Sequence, residues 1–116
     1  MIRHIQQLEL PFVDVQPITA VYSPPEATIT ERFERFHEAN PHVYDALRDM
    51  ALWLKGQGKR AGIKLLFEQL RWLALIQTDG EPYKLNNDFT AHYARLLMAD
   101  EPQLDGFFQI RERRTA

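Results

Sequence analysis

The side chains in this chain that could perform acid–base, metal or nucleophilic chemistry are few and poorly grouped. Its four histidines are His4, His37, His42 and His92, and it has no cysteine. Without cysteine there are no disulfides, no thiol catalysis, no iron–sulfur cluster and no cysteine zinc site, which suits a reducing compartment. Glu34 and His37 stand at i and i+3, the spacing of a ligand pair in a di-iron bundle. Such a centre needs a second pair and two further carboxylates on facing helices, and no second copy occurs. His37 therefore reads as a surface histidine beside Asn40. Glu34 with Glu38, and Asp45 with Asp49, have the spacing of a carboxylate pair, but on an exposed helix face they read as solvated charge. There is no glycine-rich phosphate loop, no G-x-S-x-G and no H-E-x-x-H, so the usual fingerprints of nucleotide, acyl and metal-hydrolase chemistry are missing. The expectation is a protein that is not an enzyme, with no catalytic residue, no metal and no cofactor.

Charge is the next source of function. The net charge is −2, which argues against nucleic-acid contact over the whole surface but not against one basic patch. The charge is uneven: residues 1–54 hold four basic against eight acidic side chains, and residues 55–116 hold ten against eight. Lys55, Lys59, Arg60, Lys64 and Arg71 oppose Glu68 alone over Lys55 to Arg71, a local +4. Lys59, Arg60 and Lys64, with Asn87 and Arg95 from a later helix, are the candidate nucleic-acid contacts, since Lys, Arg and Asn bind phosphates and base edges. The plain alternative is a solvated basic turn.

A third feature lies near the start. Gln7-Leu8-Glu9-Leu10-Pro11-Phe12 resembles the hexapeptide with which many bacterial proteins bind the sliding clamp of DNA polymerase III, a Gln-Leu-x-Leu-Pro-Leu pattern, with Phe12 where leucine is commoner. The resemblance implies that Gln7 makes polar contacts and that Leu10 and Phe12, with Leu8 before them, enter an apolar pocket on the partner. Pro11 would pre-set the extended turn and lower the cost of ordering it. The alternation of Leu8, Leu10 and Phe12 equally suits a half-buried strand.

The scaffold for these candidates is one domain's worth of chain: 116 residues against a usual ~100–150. Residues 1–27 hold Pro11, Pro17, Pro24 and Pro25, four of the seven prolines, and each removes an amide donor and disfavours helix before it. They read as an extended N-terminal arm, with residues 28–116 as the globular domain. From Thr28 the pattern is helical. Thr28-Ile29-Thr30-Glu31 fits a capping box, and Ile29, Phe33 and Phe36 line one face. Asn40-Pro41 opens a second helix as cap and first residue; Val43, Leu47, Met50 and Leu54 form its inner stripe, and Gly56 and Gly58 end it.

A third helix is expected over about 61–74. At ~100° per residue Ile63, Leu66, Phe67, Leu70 and Leu73 share one side, while Leu65 and Trp72 fall on the other. A helix apolar on two sides belongs in the middle of the bundle. Asp79-Gly80, between Leu75-Ile76 and Tyr83-Lys84-Leu85, suits a small β-hairpin. Asn86 to Asp88 would cap a fourth helix to about residue 99, with Phe89, Tyr93, Leu96 and Leu97 inward and Asn87, Ala91, Ala94, Arg95 and Met98 outward. Phe107, Phe108 and Ile110 would close the core as a strand or loop. The order resembles a divergent winged helix: a mainly α bundle of about four helices, a short hairpin or wing, and the arm.

From about Phe33 to Arg113 the chain is similar to an uncharacterised family of small bacterial phage and prophage proteins. The similarity is carried by residues 36–44, residues 63–72, Tyr83 to Asn87 with Tyr93-Ala94-Arg95, and Phe107-Phe108 with Arg111. It implies a phage or mobile-element setting and no activity. No apolar run reaches the ~18 residues of a membrane span, and no signal-peptide core is present, so a cytoplasmic protein is expected. The expected function is that of a phage-type accessory of DNA transactions, binding nucleic acid or the sliding clamp. The alternative is a protein-binding module that inhibits a host or defence protein without touching DNA. The sequence leaves the oligomeric state open.

Overall fold

The computed structural model describes Val13, residues 15–77 and residues 83–109. Within them the chain forms α1 (Ile29–Ala39), α2 (Pro41–Gly56), α3 (Ile63–Gln77) and α4 (Thr90–Asp100), with 3₁₀ turns at Asn87–Phe89 and Pro102–Leu104. The fold is mainly helical, and no strand occurs among the described residues.

Local chemistry explains the helix ends. At α1 the Thr28 hydroxyl accepts from the Glu31 amide at 3.1 Å, and Glu31 accepts from the Thr28 amide at 2.8 Å, closing the capping box. At the end of α2 the Gly58 amide donates to Lys55 and the Lys59 amide to Leu54. Gly58 takes the positive φ of 71° that this reversal demands, which only glycine adopts cheaply. Asn86 accepts from the Asp88 amide at 2.8 Å and starts the turn that leads into α4.

One core joins all the helices. Phe33 and Phe36 from α1, Val43, Leu47 and Met50 from α2, Phe67 and Leu70 from α3, and Tyr93 and Leu97 from α4 are buried together with Leu104, Phe107 and Phe108. Phe33 is the aromatic hub: the Phe89 and Tyr93 rings meet it edge-on at 5.7 and 4.8 Å, and His37 stacks on it at 5.8 Å. The hub of the helices is α2, which packs against α1, α3, α4 and the Pro102–Leu104 turn. The expectation that α3 is central is thereby corrected. Ala46 and Ala51 are buried on α2, and such small side chains let neighbours approach from several sides. On α3, Leu65 and Trp72 face solvent.

The expected hairpin is also corrected. Leu75 and Ile76 are the last turn of α3, because nothing between Ala74 and Gln77 interrupts a helix. Leu85 has already used both backbone groups. Its amide donates to Tyr83 at 2.9 Å, which leaves no donor for a ladder, and its carbonyl accepts from Arg71 at 2.6 Å. Asp79 and Gly80 lie outside the described residues. Two smaller corrections follow: α3 runs three residues past Ala74, and a 3₁₀ turn precedes α4; Phe107 and Phe108 lie in a loop, one of the two forms expected for them.

The described part of the arm is held by side-chain amides. Val13 and Val15 are buried in the common core. Gln77, at the end of α3, accepts from the Val15 amide at 3.1 Å and donates to the Val13 carbonyl at 3.2 Å. Asn40 accepts from the Thr19 amide at 2.7 Å and donates to the Thr19 carbonyl at 3.0 Å and the Phe36 carbonyl at 3.1 Å. The Tyr83 hydroxyl donates to the Gln16 carbonyl at 2.9 Å. Each amide side chain thus offers the arm the donor–acceptor pair that a neighbouring strand would offer. Asn40 was expected to cap α2; its side chain makes no cap bond because the arm has taken it.

Two buried phenols and one half-buried phenol make this core sensitive to alkali. Burial, then Glu101 and Asp100 beside it, pushes Tyr44 up to about 12. Burial alone pushes Tyr83 up to about 12, and Tyr93 is raised further by burial and then by Tyr83. The unfolded chain loses these protons near the ordinary value of 10 while the folded chain keeps them. Stability is therefore full below pH ~10 and falls as pH rises towards ~12. The urea midpoint is expected to be lower at pH ~11 than at pH ~8, and an equal or higher midpoint at pH ~11 contradicts this.

Candidate functional site

Two surfaces stand out, one apolar and one basic. The apolar one is the outer face of α3. Leu65, Trp72, Leu75 and Ile76 are 59, 47, 53 and 59% exposed. At ~100° per residue Leu65, Trp72 and Ile76 lie within ~40° of one another, and Leu75 flanks them. Single exposed apolar residues are ordinary, but a contiguous row on one helix marks an interaction site. The row is built by the helix itself: Phe67, Leu70 and Ala74 point into the core, which fixes the rotation of α3 and turns the second apolar stripe outward. Beside it, Arg71 donates to Glu68 at 2.7 Å, and its reach to Leu85 and Asn87 anchors the segment after residue 83 to the flank of α3.

The basic surface lies at the other end of α3. An open cleft of about 380 Å³ is lined by Gly62, Ile63, Lys64, Thr90, Ala91, Ala94 and Gln109. It lies where the first turns of α3 and α4 meet, so two helix N-termini add their partial positive charge to Lys64. None of its lining residues is acidic.

The candidates read from the sequence are distributed between these places. Lys64 lines the cleft, and Lys59 and Arg95 are exposed. Arg60 donates to the Gly106 carbonyl and stands over the Phe107 ring at 5.9 Å, bracing the last loop against the turn after α2. The Asn87 side-chain oxygen accepts from Arg71. The outward face expected on α4 is partly inward: Ala94 is buried and Met98 half-buried. Ala91 and Ala94 line the cleft together with the start of α3. Gln7, Leu8, Leu10 and Phe12 lie outside the described residues.

Four of the acid–base candidates are engaged. Asp45 and Asp49 both accept from Arg48, at 3.2 and 3.1 Å. His37 is held between Phe33 and Tyr44, and the His92 ring nitrogen lies 3.1 Å from the Thr30 hydroxyl. Among the described residues no three His, Asp or Glu side chains converge to hold a metal ion. No helix among them is long and apolar enough to cross a membrane.

No family model, curated protein or solved structure matches this chain.

The sequence pattern gives only part of the outward row on α3, because it places Leu75 and Ile76 in the hairpin. The signal was present: Leu65, Trp72 and Ile76 recur at i, i+7 and i+11, a second helical stripe. Gln77 and Tyr83 as holders of the arm left no local signal, since their partners are more than sixty residues away.

Proposed function

We propose that this chain is a non-enzymatic accessory protein that works by docking a protein on the outer face of α3. The observation that carries the reading is the row Leu65, Trp72, Leu75 and Ile76, four large apolar side chains in solvent on one helix. Burying such a row is the dominant favourable term in most protein association, and an aromatic at its centre is the usual anchor. The phage-type setting comes from the family resemblance, and the sliding clamp enters as a partner of Gln7 to Phe12 on the resemblance of that hexapeptide.

A second reading, contact with nucleic acid, is favoured by one observation: the cleft at Lys64 collects a cation and two helix N-termini without an acidic side chain. Its working residues would be Lys59, Lys64 and Arg95, because Arg60 and Asn87 already serve the fold. If Lys64 contacts phosphate, Lys64→Glu weakens binding and flattens the salt slope by about 1. Absence of wild-type binding to duplex or single-stranded DNA at low salt excludes the reading.

The docking reading is tested by placing a photo-crosslinking benzoylphenylalanine at Trp72, and separately at the exposed Glu34 on α1, in the producing cell. Irradiation is expected to give a discrete protein adduct from position 72 and none from position 34. No adduct from position 72, or equal adducts from both, overturns it.

A further inference from the structure

We infer that the occupant of the α3 face is a second copy of the same chain, packed antiparallel about a two-fold axis midway along the helix. This rests on the docking reading and names its partner. The argument begins with spacing. Leu65, Gln69, Trp72 and Ile76 recur at intervals of four, three and four residues, the alternation of a coiled-coil seam. An antiparallel two-fold between positions 70 and 71 sets Leu65 against Ile76 of the second copy and Gln69 against Trp72. Each of these pairs then occurs twice. The seam is self-complementary, as an isologous interface must be.

Charge agrees with the same axis. Glu68 and Arg71 lie on one flank of the seam, and the two-fold brings the same flank of the second copy alongside. Glu68 then lies beside Arg71 of the second copy and Arg71 beside its Glu68, within about two residues of axial rise, ~3 Å. Each protomer already pairs Arg71 with Glu68 at 2.7 Å, so the dimer would extend this pair into an alternating ring of four charges. A parallel seam would carry the two Glu68–Arg71 flanks to opposite sides of the dimer, where neither meets the other.

Area agrees as well. The exposed fractions of the four apolar side chains leave on the order of 400 Å² of apolar surface per protomer, already the size of a functional patch. Two such faces supply about 800 Å², and the Gln69, Glu68 and Arg71 flanks that close around them bring the total towards the ~1,200 Å² at which specific interfaces begin. An interface at this lower limit fits a reversible dimer with a dissociation constant of about 1–10 μM.

The chain has no cysteine, which makes the register readable. Leu65→Cys and Ile76→Cys are prepared singly, and their oxidised products are compared with those of an equal mixture. The mixture is expected to give a disulfide-linked dimer of one chain of each kind. Leu65→Cys alone is expected to give none, because the two copies of position 65 lie ~16 Å apart along the seam. Sedimentation equilibrium of the unmodified chain is expected to show a monomer–dimer equilibrium, and Trp72→Arg, with an unchanged melt, is expected to weaken it by about a hundredfold. A chain that stays monomeric at ~500 μM, a Trp72→Arg variant that still dimerises, or a disulfide from Leu65→Cys alone each overturns the inference. An adduct at position 72 with a protein of another sequence overturns the dimer and leaves the docking reading standing; no adduct at all removes both.

Discussion

Phe67→Ala is expected to lower stability by ~3–5 kcal/mol, and Leu70→Ala by ~2–5 kcal/mol. Both side chains are fully buried. Phe67 meets Tyr93 edge-on at 5.9 Å, and the Arg71 guanidinium stands 5.9 Å from its ring centroid. The loss combines apolar surface returned to water with a cavity that α2 and α4, held by their own contacts, cannot close. Against a whole-domain stability of ~5–15 kcal/mol, either change removes a large share. The control is on the same helix: Leu65→Ala and Trp72→Ala, on the exposed face, are expected to shift the urea midpoint by less than the equivalent of ~0.5 kcal/mol in the monomer. If Phe67→Ala also falls within ~0.5 kcal/mol of the unmodified chain, the described orientation of α3 is wrong.

The second large effect is expected at Asn40, the buried polar residue of the described structure. Asn40→Ala removes hydrogen bonds to the Thr19 amide, the Thr19 carbonyl and the Phe36 carbonyl. A lost bond costs about 1 kcal/mol, and a stranded buried group costs ~1–3 kcal/mol. Part of the freed backbone can turn to water, so the expected loss is ~2–4 kcal/mol. Hydrogen exchange supplies a readout that a general loss of packing would not: the Thr19 amide should lose protection by more than the global destabilisation accounts for. An Asn40→Ala chain with unchanged stability and a protected Thr19 amide removes the clamp from the account of the fold.

The elements most legible in the sequence were those whose cause is local. Thr28 and Glu31 cap one another three residues apart, Pro41 needs no amide partner at a helix start, and Gly58 permits a reversal made by its immediate neighbours. The inner stripes of α1, α2 and α4 were legible because burial follows the 3.6-residue period. What failed depended on distance. The Tyr83-Lys84-Leu85 segment has the composition of a strand, but Arg71, fourteen residues earlier, claims the Leu85 carbonyl. Leu65 and Trp72 were recognised as a second apolar stripe, yet periodicity alone does not say whether such a stripe meets another helix or water. Ala94 reads as outward from the pattern because small residues carry little directional signal. Of the basic residues, Lys64 reaches the cleft, whereas Arg60 is drawn to a carbonyl forty-six residues away, a contact that no local pattern reports.

The Asn40 clamp has a consequence for how the protein ages. Asparagine deamidates when the backbone nitrogen of the next residue attacks the side-chain amide and closes a succinimide ring. The next residue here is Pro41, whose nitrogen carries no hydrogen, so this route to aspartate is closed at the position where it would do most harm. An aspartate at 40 would replace the donor that faces the Thr19 and Phe36 carbonyls with a second acceptor, in a site that has no room for charge. The dipeptide that starts α2 therefore also shields the arm's anchor from slow chemical decay, while Asn86 and Asn87, exposed and followed by residues with a backbone N–H, have no such protection.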